Sequence, residues 1–134
     1  MLKLQSKYKI LSLAVPLIII INVIVYLFWF IASDSHSDLI FMVNNFLVSW
    51  SGLEEGRYWT ILSSAFSHNM FWHLLMNMFV LSSFGRIVEA TLGTLNFLKF
   101  YLVAAVISSL GHAVVSYGCD QPMMCDNQAA LSNP

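Results

Sequence analysis

The sequence predicts an all-α membrane protein. Three transmembrane helices are expected at about residues 10–32, 69–88 and 100–117, with a shorter interfacial helix at about 39–50 in the first loop. Three observations carry this. Of 134 residues, 58% are hydrophobic and 10% charged, which is too apolar for an ordinary soluble domain. Two long runs, Ile10 to Ser33 and Tyr58 to Gly85, contain no formally charged residue. The polar groups inside the second run fall at helical spacings. A net charge of −1 excludes nucleic acid as a partner on electrostatic grounds, and there is no internal repeat or low-complexity tract.

The first element follows a short basic tail, Met1 to Lys9, that carries Lys3, Lys7 and Lys9. The apolar stretch after it, ILSLAVPLIIIINVIVYLFWFIA, is 23 residues long, beyond the usual core of a signal peptide, so a retained helix is expected. Pro16 lies in its first third, placed to kink it, and Asn22 near its centre wants a partner from a neighbouring helix. The first loop holds an apolar island, LIFMVNNFLVSW, whose residues 39, 40, 43, 46, 47 and 50 form a helical stripe. At ~1.5 Å per residue it is too short to cross a ~30 Å hydrocarbon core, so it is expected to lie in the interface. His36 in this loop reads as a solvated surface residue.

The second helix carries the candidate chemistry. His73 and Asn77, four apart, lie ~40° from each other on one face, and Gly85 falls ~80° further round, where it lets another backbone come close. His68 is rotated ~140° from His73 near the helix start and is expected to do a different job. An imidazole N–H and an amide N–H stacked on one face are what an oxyanion hole needs, because both donate without carrying charge. The plainer reading is interhelical glue worth ~1 kcal/mol. A metal is not expected, since the spacing of His68 and His73 is not the one-turn pairing that puts two ligands on a common face. Nor is any cofactor. Arg86 and Glu89, three apart, are placed to pair at the helix end.

Residues 91–96 read as the turn, with Gly93 as the natural helix stop. In the third helix, Ala105, Ser109 and Ala113 recur every four residues and mark a tightly packed face. His112 reads as a bundle hydrogen-bonder. The tail after Tyr117 holds Cys119 and Cys125; spacing leaves a loop disulfide and two free thiols equally open. With the N terminus in the cytoplasm, Lys3, Lys7, Lys9, Arg86 and Lys99 lie inside and only Arg57 outside, five against one, which sets the expected orientation.

The string W-T-I-L-S-S-A-F-S-H-N-M-F-W-H-L-L-M-N-M, followed by S-F-G, E-A-T-L-G and F-x-x-x-Y, resembles the second and third transmembrane helices of rhomboid intramembrane serine proteases, in a mitochondrial-like flavour. The resemblance covers about Trp59 to Tyr117. It implies that His73 and Asn77 are the oxyanion-stabilising pair and that His68 buttresses the preceding loop. It further implies that Glu89 ties the end of the second helix into the core, with Gly85 and Gly93 as close-packing glycines. Two departures stand out. The family's Trp-Arg pair reads Trp59-Thr60 here, with Arg57 the nearest arginine, so the loop-anchoring role of that arginine is open. The family's Gly-x-Ser-Gly nucleophile motif is absent, as is the later histidine that serves as base.

The resemblance therefore implies residues 10–134 as a partial rhomboid domain behind a cytoplasmic tail of residues 1–9. The function implied is that of a serine endopeptidase acting on transmembrane protein substrates within the lipid bilayer, incomplete here and inactive alone. The remaining helices of the same protein are then an expected partner. The alternative is an inactive rhomboid-like pseudoprotease or remnant that binds transmembrane segments. A bacterial inner membrane is the default location, and a mitochondrial inner membrane is second because the N terminus lacks an Arg-rich transit peptide.

Overall fold

The structure is a computed structural model that describes residues 13–120, with side chains as far as residue 117. The basic tail, residues 10–12 of the expected first helix, and the Cys119 to Cys125 pairing lie outside the described residues. Helix α1 spans Ala14–Ala32, α2 His36–Phe46, α3 Trp50–Glu54 and α4 Thr60–Ser63, the last running into a 3₁₀ turn at Ser64–Phe66. Helix α5, Phe71–Val80, continues through a π turn at Leu81–Gly85 into α6, Arg86–Leu92; α7 is Thr94–Asp120. Three rods are long and apolar enough to cross a membrane: Ala14–Ala32, Phe71–Leu92 and Thr94–Tyr117. No strand occurs among the described residues.

Helix α1 is the centre of the packing. Its buried residues are Ala14, Val15, Ile18, Asn22, Val25, Trp29 and Ala32, a seam that alternates steps of three and four. The lower half packs with Phe97 of α7, and the upper half with Met42 of α2. The other face, including Leu17, Ile20, Ile24 and Phe28, is exposed, as suits a helix whose remaining neighbours are lipid or further helices. Pro16 is the third residue of α1, so it begins the helix rather than bending its interior. In the first turn a missing N–H costs nothing. Asn22 turns to its own helix, its Nδ2 donating to the Ile18 carbonyl at 2.7 Å, and no side chain from a neighbour bonds its Oδ1 among the described residues.

The chain then runs up, down and up. The starts of α1 and α7 meet the end of α6, while α3 meets the far end of α7, where Trp50 packs edge-on against Tyr117 at 5.1 Å. The second rod begins two residues later than expected and ends four later; the third begins six earlier. One residue makes the whole turn between them. Gly93 takes φ 80°, ψ 155°, a conformation that L side chains rarely adopt, and its N–H returns to the Glu89 carbonyl at 2.8 Å; a Cβ there would meet nothing within 4 Å among the described residues, so Gly93 serves the turn and not the close packing that the resemblance implied. Because Glu89 turns inward, the expected Arg86 to Glu89 pair does not form and Arg86 is exposed.

The first loop also differs from expectation. Helix α2 stops at Phe46, and Leu47 is extended at φ −115°, ψ 129°, so Leu47 and Trp50 do not share its face. Its core contact is Met42, 4% exposed, packed on Val25, Trp29 and Ala32. Of the expected stripe, Leu39, Ile40 and Val43 face outward, free to sit in the membrane interface, while Phe46 is half-buried beside Met42 against α1. The expected small-residue face of α7 is present: Ser109 and Ala113 are buried, and the Ser64 and Ser109 hydroxyls bond at 2.9 Å.

Candidate active site

The site is built where the 3₁₀ turn gives way to α5. Ser67 is extended at φ −91°, ψ 119°, and its Oγ accepts a hydrogen bond from the buried Trp29 indole at 2.8 Å. Met70 is extended too, at φ −115°, ψ 128°, so α5 starts only at Phe71. His68 therefore does not lie on the helix, and the ~140° rotation that a helix from residue 69 would impose does not apply. Instead its ring folds back over α5. It meets His73 edge to face at 5.1 Å, and Asn77 Nδ2 donates to its Nε2 at 3.0 Å.

His68, His73 and Asn77 all line one open cleft of about 670 Å³, whose opposite wall is α7 with Ser108, Ser109 and His112. His73 is exposed to this cleft and makes no hydrogen bond among the described residues; Asn77 is half-buried. His68 is 8% exposed, and its Nδ1 has no hydrogen-bond partner. Burial holds the His68 imidazole below the usual histidine range, and the neighbouring His73 pushes the same way. The Phe66 carbonyl acts against them. The neutral ring is thus the stable form near pH 7. An open cleft lined by hydrogen-bond donors can receive a developing negative charge.

The other expected residues do structural work away from the cleft. Glu89 is 0% exposed and caps α1: Oε1 accepts from the N–H groups of Leu13 and Ala14 at 3.0 Å, and Oε2 from Val15 at 3.1 Å. Thr94 Oγ1 donates to the same Oε1 at 2.9 Å. Pro16 has no N–H, and Leu17 N–H reaches the Leu13 carbonyl at 3.3 Å, so every donor at the start of the described helix is accounted for. A carboxylate at a helix N terminus also meets the positive end of its dipole. Gly85 lies where a Cβ would come 2.9 Å from Leu81 Cδ1 and 3.1 Å from Val15 Cγ2, so it sets how closely the second rod approaches α1.

Where the resemblance leads one to expect Trp-Arg the chain has Trp59-Thr60, and the nearest arginine, Arg57, makes contacts of its own. Arg57 donates from Nη1 to Asn44 Oδ1 on α2, pairs with Glu55 at 2.9 Å, and its carbonyl accepts from Thr60 Oγ1 at 2.6 Å. Together these fasten the first loop over α4. Reasoning from sequence missed Ser64, Ser67 and Trp29 as anchors of the cleft's rim. The only signal was a serine-rich S-S-A-F-S inside a charge-free run, where hydroxyls need partners. His112, expected to be a bundle hydrogen-bonder, makes no side-chain hydrogen bond among the described residues and lines the cleft as well.

The fold and the cleft define a polytopic α-helical membrane protein with a polar site between its second and third rods. The Rhomboid domain family matches residues 55–124, just over half of the chain, and the chain belongs to this family. It is 32% identical over 97 residues to RHOMBOID-like protein 12, mitochondrial, of Arabidopsis thaliana, covering 72% of this chain and 27% of that one. It is 49% identical over 51 residues to Rhomboid protein 1, mitochondrial, of Saccharomyces cerevisiae, 38% of this chain and 15% of that one. To an uncharacterised mitochondrial rhomboid protein of Schizosaccharomyces pombe it is 31% identical over 111 residues, 78% of this chain and 28% of that one. The chain thus spans less than a third of the length of these curated relatives. No solved structure matches.

Proposed function

We propose that this chain supplies the oxyanion half of a rhomboid-type intramembrane serine endopeptidase, residues 10–134 forming the front of its domain behind a cytoplasmic tail. The observation that carries the reading is the convergence of His68, His73 and Asn77 on one cleft whose far wall is built of small residues of α7. In the complete enzyme a serine hydroxyl attacks the scissile carbonyl of a transmembrane substrate while a histidine takes its proton. The carbonyl oxygen becomes an oxyanion, and His73 and Asn77 donate to it. In a site shielded from bulk water, each such donor contributes ~10²- to 10³-fold in rate. Serine and base belong to helices outside this sequence, which would also cover the cleft.

Donors without a nucleophile form no acyl-enzyme, so the 134 residues alone are expected not to cleave. Labelling with a fluorophosphonate serine probe in reconstituted bilayers checks this; a labelled 134-residue chain would sink the proposal. A second reading is a pseudoprotease that holds transmembrane segments, favoured by Ala104, Ala105, Ser108 and Ser109, a wall that lets a helix backbone come close. In a form that includes the later helices, His73→Leu with Asn77→Leu separates the two: an enzyme loses cleavage, whereas a binder keeps its segment.

For location, a bacterial inner membrane is the default reading, and the mitochondrial names of the three relatives pull against it. Import of a tagged chain into isolated mitochondria, compared with its insertion into bacterial membrane vesicles, decides between them.

A further inference from the structure

Asn77 is the donor that the proteolytic reading needs, yet an amide has two ends of nearly the same shape. Its oxygen accepts and its nitrogen donates, so an oxyanion is stabilised by one orientation and repelled by the other. Nothing in the helix chooses between them. We propose that His68 is a positioning residue for Asn77: as a neutral ring protonated on Nδ1, it accepts from Asn77 Nδ2 and so holds the amide nitrogen at the cleft.

The geometry supports each part of this. With the amide turned as it stands in the structure, its nitrogen toward the ring at 3.0 Å, His68 Nε2 accepts and the ring proton sits on Nδ1; the opposite amide orientation would pair with the opposite tautomer, so the two are fixed together. Only one of the two N–H bonds of Asn77 is used, which leaves the second free for a ligand. His68 cannot swing away. It follows Ser67, which the Trp29 indole grips at 2.8 Å; its ring edge abuts His73 at 5.1 Å; and it is 8% exposed.

A pH dependence follows for the same site, resting on the oxyanion reading given above. Protonation turns Nε2 from acceptor into donor. It then faces an N–H, and the amide must turn its oxygen to the ring, which takes the donor off the site. The titratable side chains that line the cleft are His73 on α5 and Tyr101 and His112 on α7; neither α1 nor α2 contributes one. With no carboxylate in that lining to favour an imidazolium, and with burial opposing it, the neutral acceptor persists at pH 7 and is lost on acidification.

The test is the tautomer. The 134-residue chain, labelled with ¹⁵N-histidine in detergent micelles, is followed by long-range proton–nitrogen correlation from pH 8 to 4, with His68 assigned by its loss in His68→Gln. The expected result is a ring protonated on Nδ1 with Nε2 bare, and a titration midpoint that Asn77→Leu raises by roughly half a unit to one unit, because a bond to the neutral ring has gone. A ring protonated on Nε2, or a midpoint unmoved in Asn77→Leu, overturns the proposal. If Asn77→Leu does not fold, the tautomer of the unsubstituted chain decides alone. None of these readings uses cleavage, so a failed serine-probe experiment in a longer form and a failed tautomer remain distinguishable.

Discussion

Two places in this molecule put polar groups among apolar helices, and they meet that condition in opposite ways. At the end where α6 turns into α7, Glu89 is fully buried and accepts from three backbone N–H groups and one hydroxyl. At the cleft, His73 makes no hydrogen bond among the described residues, Asn77 uses one of its two N–H bonds, and His68 Nδ1 has none. The carboxylate is a clasp, with its accepting capacity turned on the start of α1. The cleft keeps donor capacity in reserve, as a site for a transient anion requires. Between these two places, saturation goes with structure and spare donors with the candidate chemistry; Asn22 Oδ1 and Arg57 Nε, buried outside the cleft without a partner among the described residues, show that the contrast belongs to this pair of sites.

The contrast can be broken by measurement. The largest effect is expected for Glu89→Ala, which strands the N–H groups of Leu13, Ala14 and Val15 at about 1–3 kcal/mol each and should abolish cooperative unfolding in micelles. Glu89→Gln, which keeps one accepting oxygen, should fall between. Next comes Gly85→Val, whose branches meet Leu81 and Val15; an overpacking cost of about 1–3 kcal/mol should appear as a lowered unfolding midpoint. Asn77→Leu should cost the fold only about 1 kcal/mol, the worth of one hydrogen bond, although it removes a donor from any cleaving form. Were its cost to equal that of Glu89→Ala, the distinction between clasp and reserve would fail.

The smallest effect is that of pH. His68 titrates lower in the folded chain than when unfolded, so the unfolded state binds the proton more readily. Its contribution is fully present above the ordinary histidine value of about 6.5 and is lost as pH falls through the folded one. The unfolding midpoint should drop slightly across that window. His68→Gln should flatten the slope there.

Much of the architecture is legible in the amino-acid string, because burying or exposing apolar side chains is a property of windows of residues. The three spans, the helix stop at Gly93, the close approach at Gly85 and the packed face at Ser109 and Ala113 all follow from composition and helical spacing, whereas the narrowing of the expected 91–96 turn to one residue does not. The shared face of His73 and Asn77 does too, since four residues along a helix is a local distance.

What the string leaves open is decided by contacts between distant segments. Three of the four partners of Glu89 lie 74 to 76 residues away and are backbone N–H groups, which carry no side-chain signature. That inward turn is what prevents the Arg86 pair and carries the second rod on to Leu92. Helix α2 likewise buries Met42, with Phe46 alone of its expected stripe beside it, because Trp29 and Val25 of α1 meet that side. His68 reaches Asn77 only because Ser67 and Met70 are extended, and Ser67 is held by an indole 38 residues upstream. Periodicity is a sum over near neighbours and can be read one segment at a time. A hydrogen bond between two segments exists only once both have been placed, and here that placement makes the difference between a row of polar residues on a helix and a site.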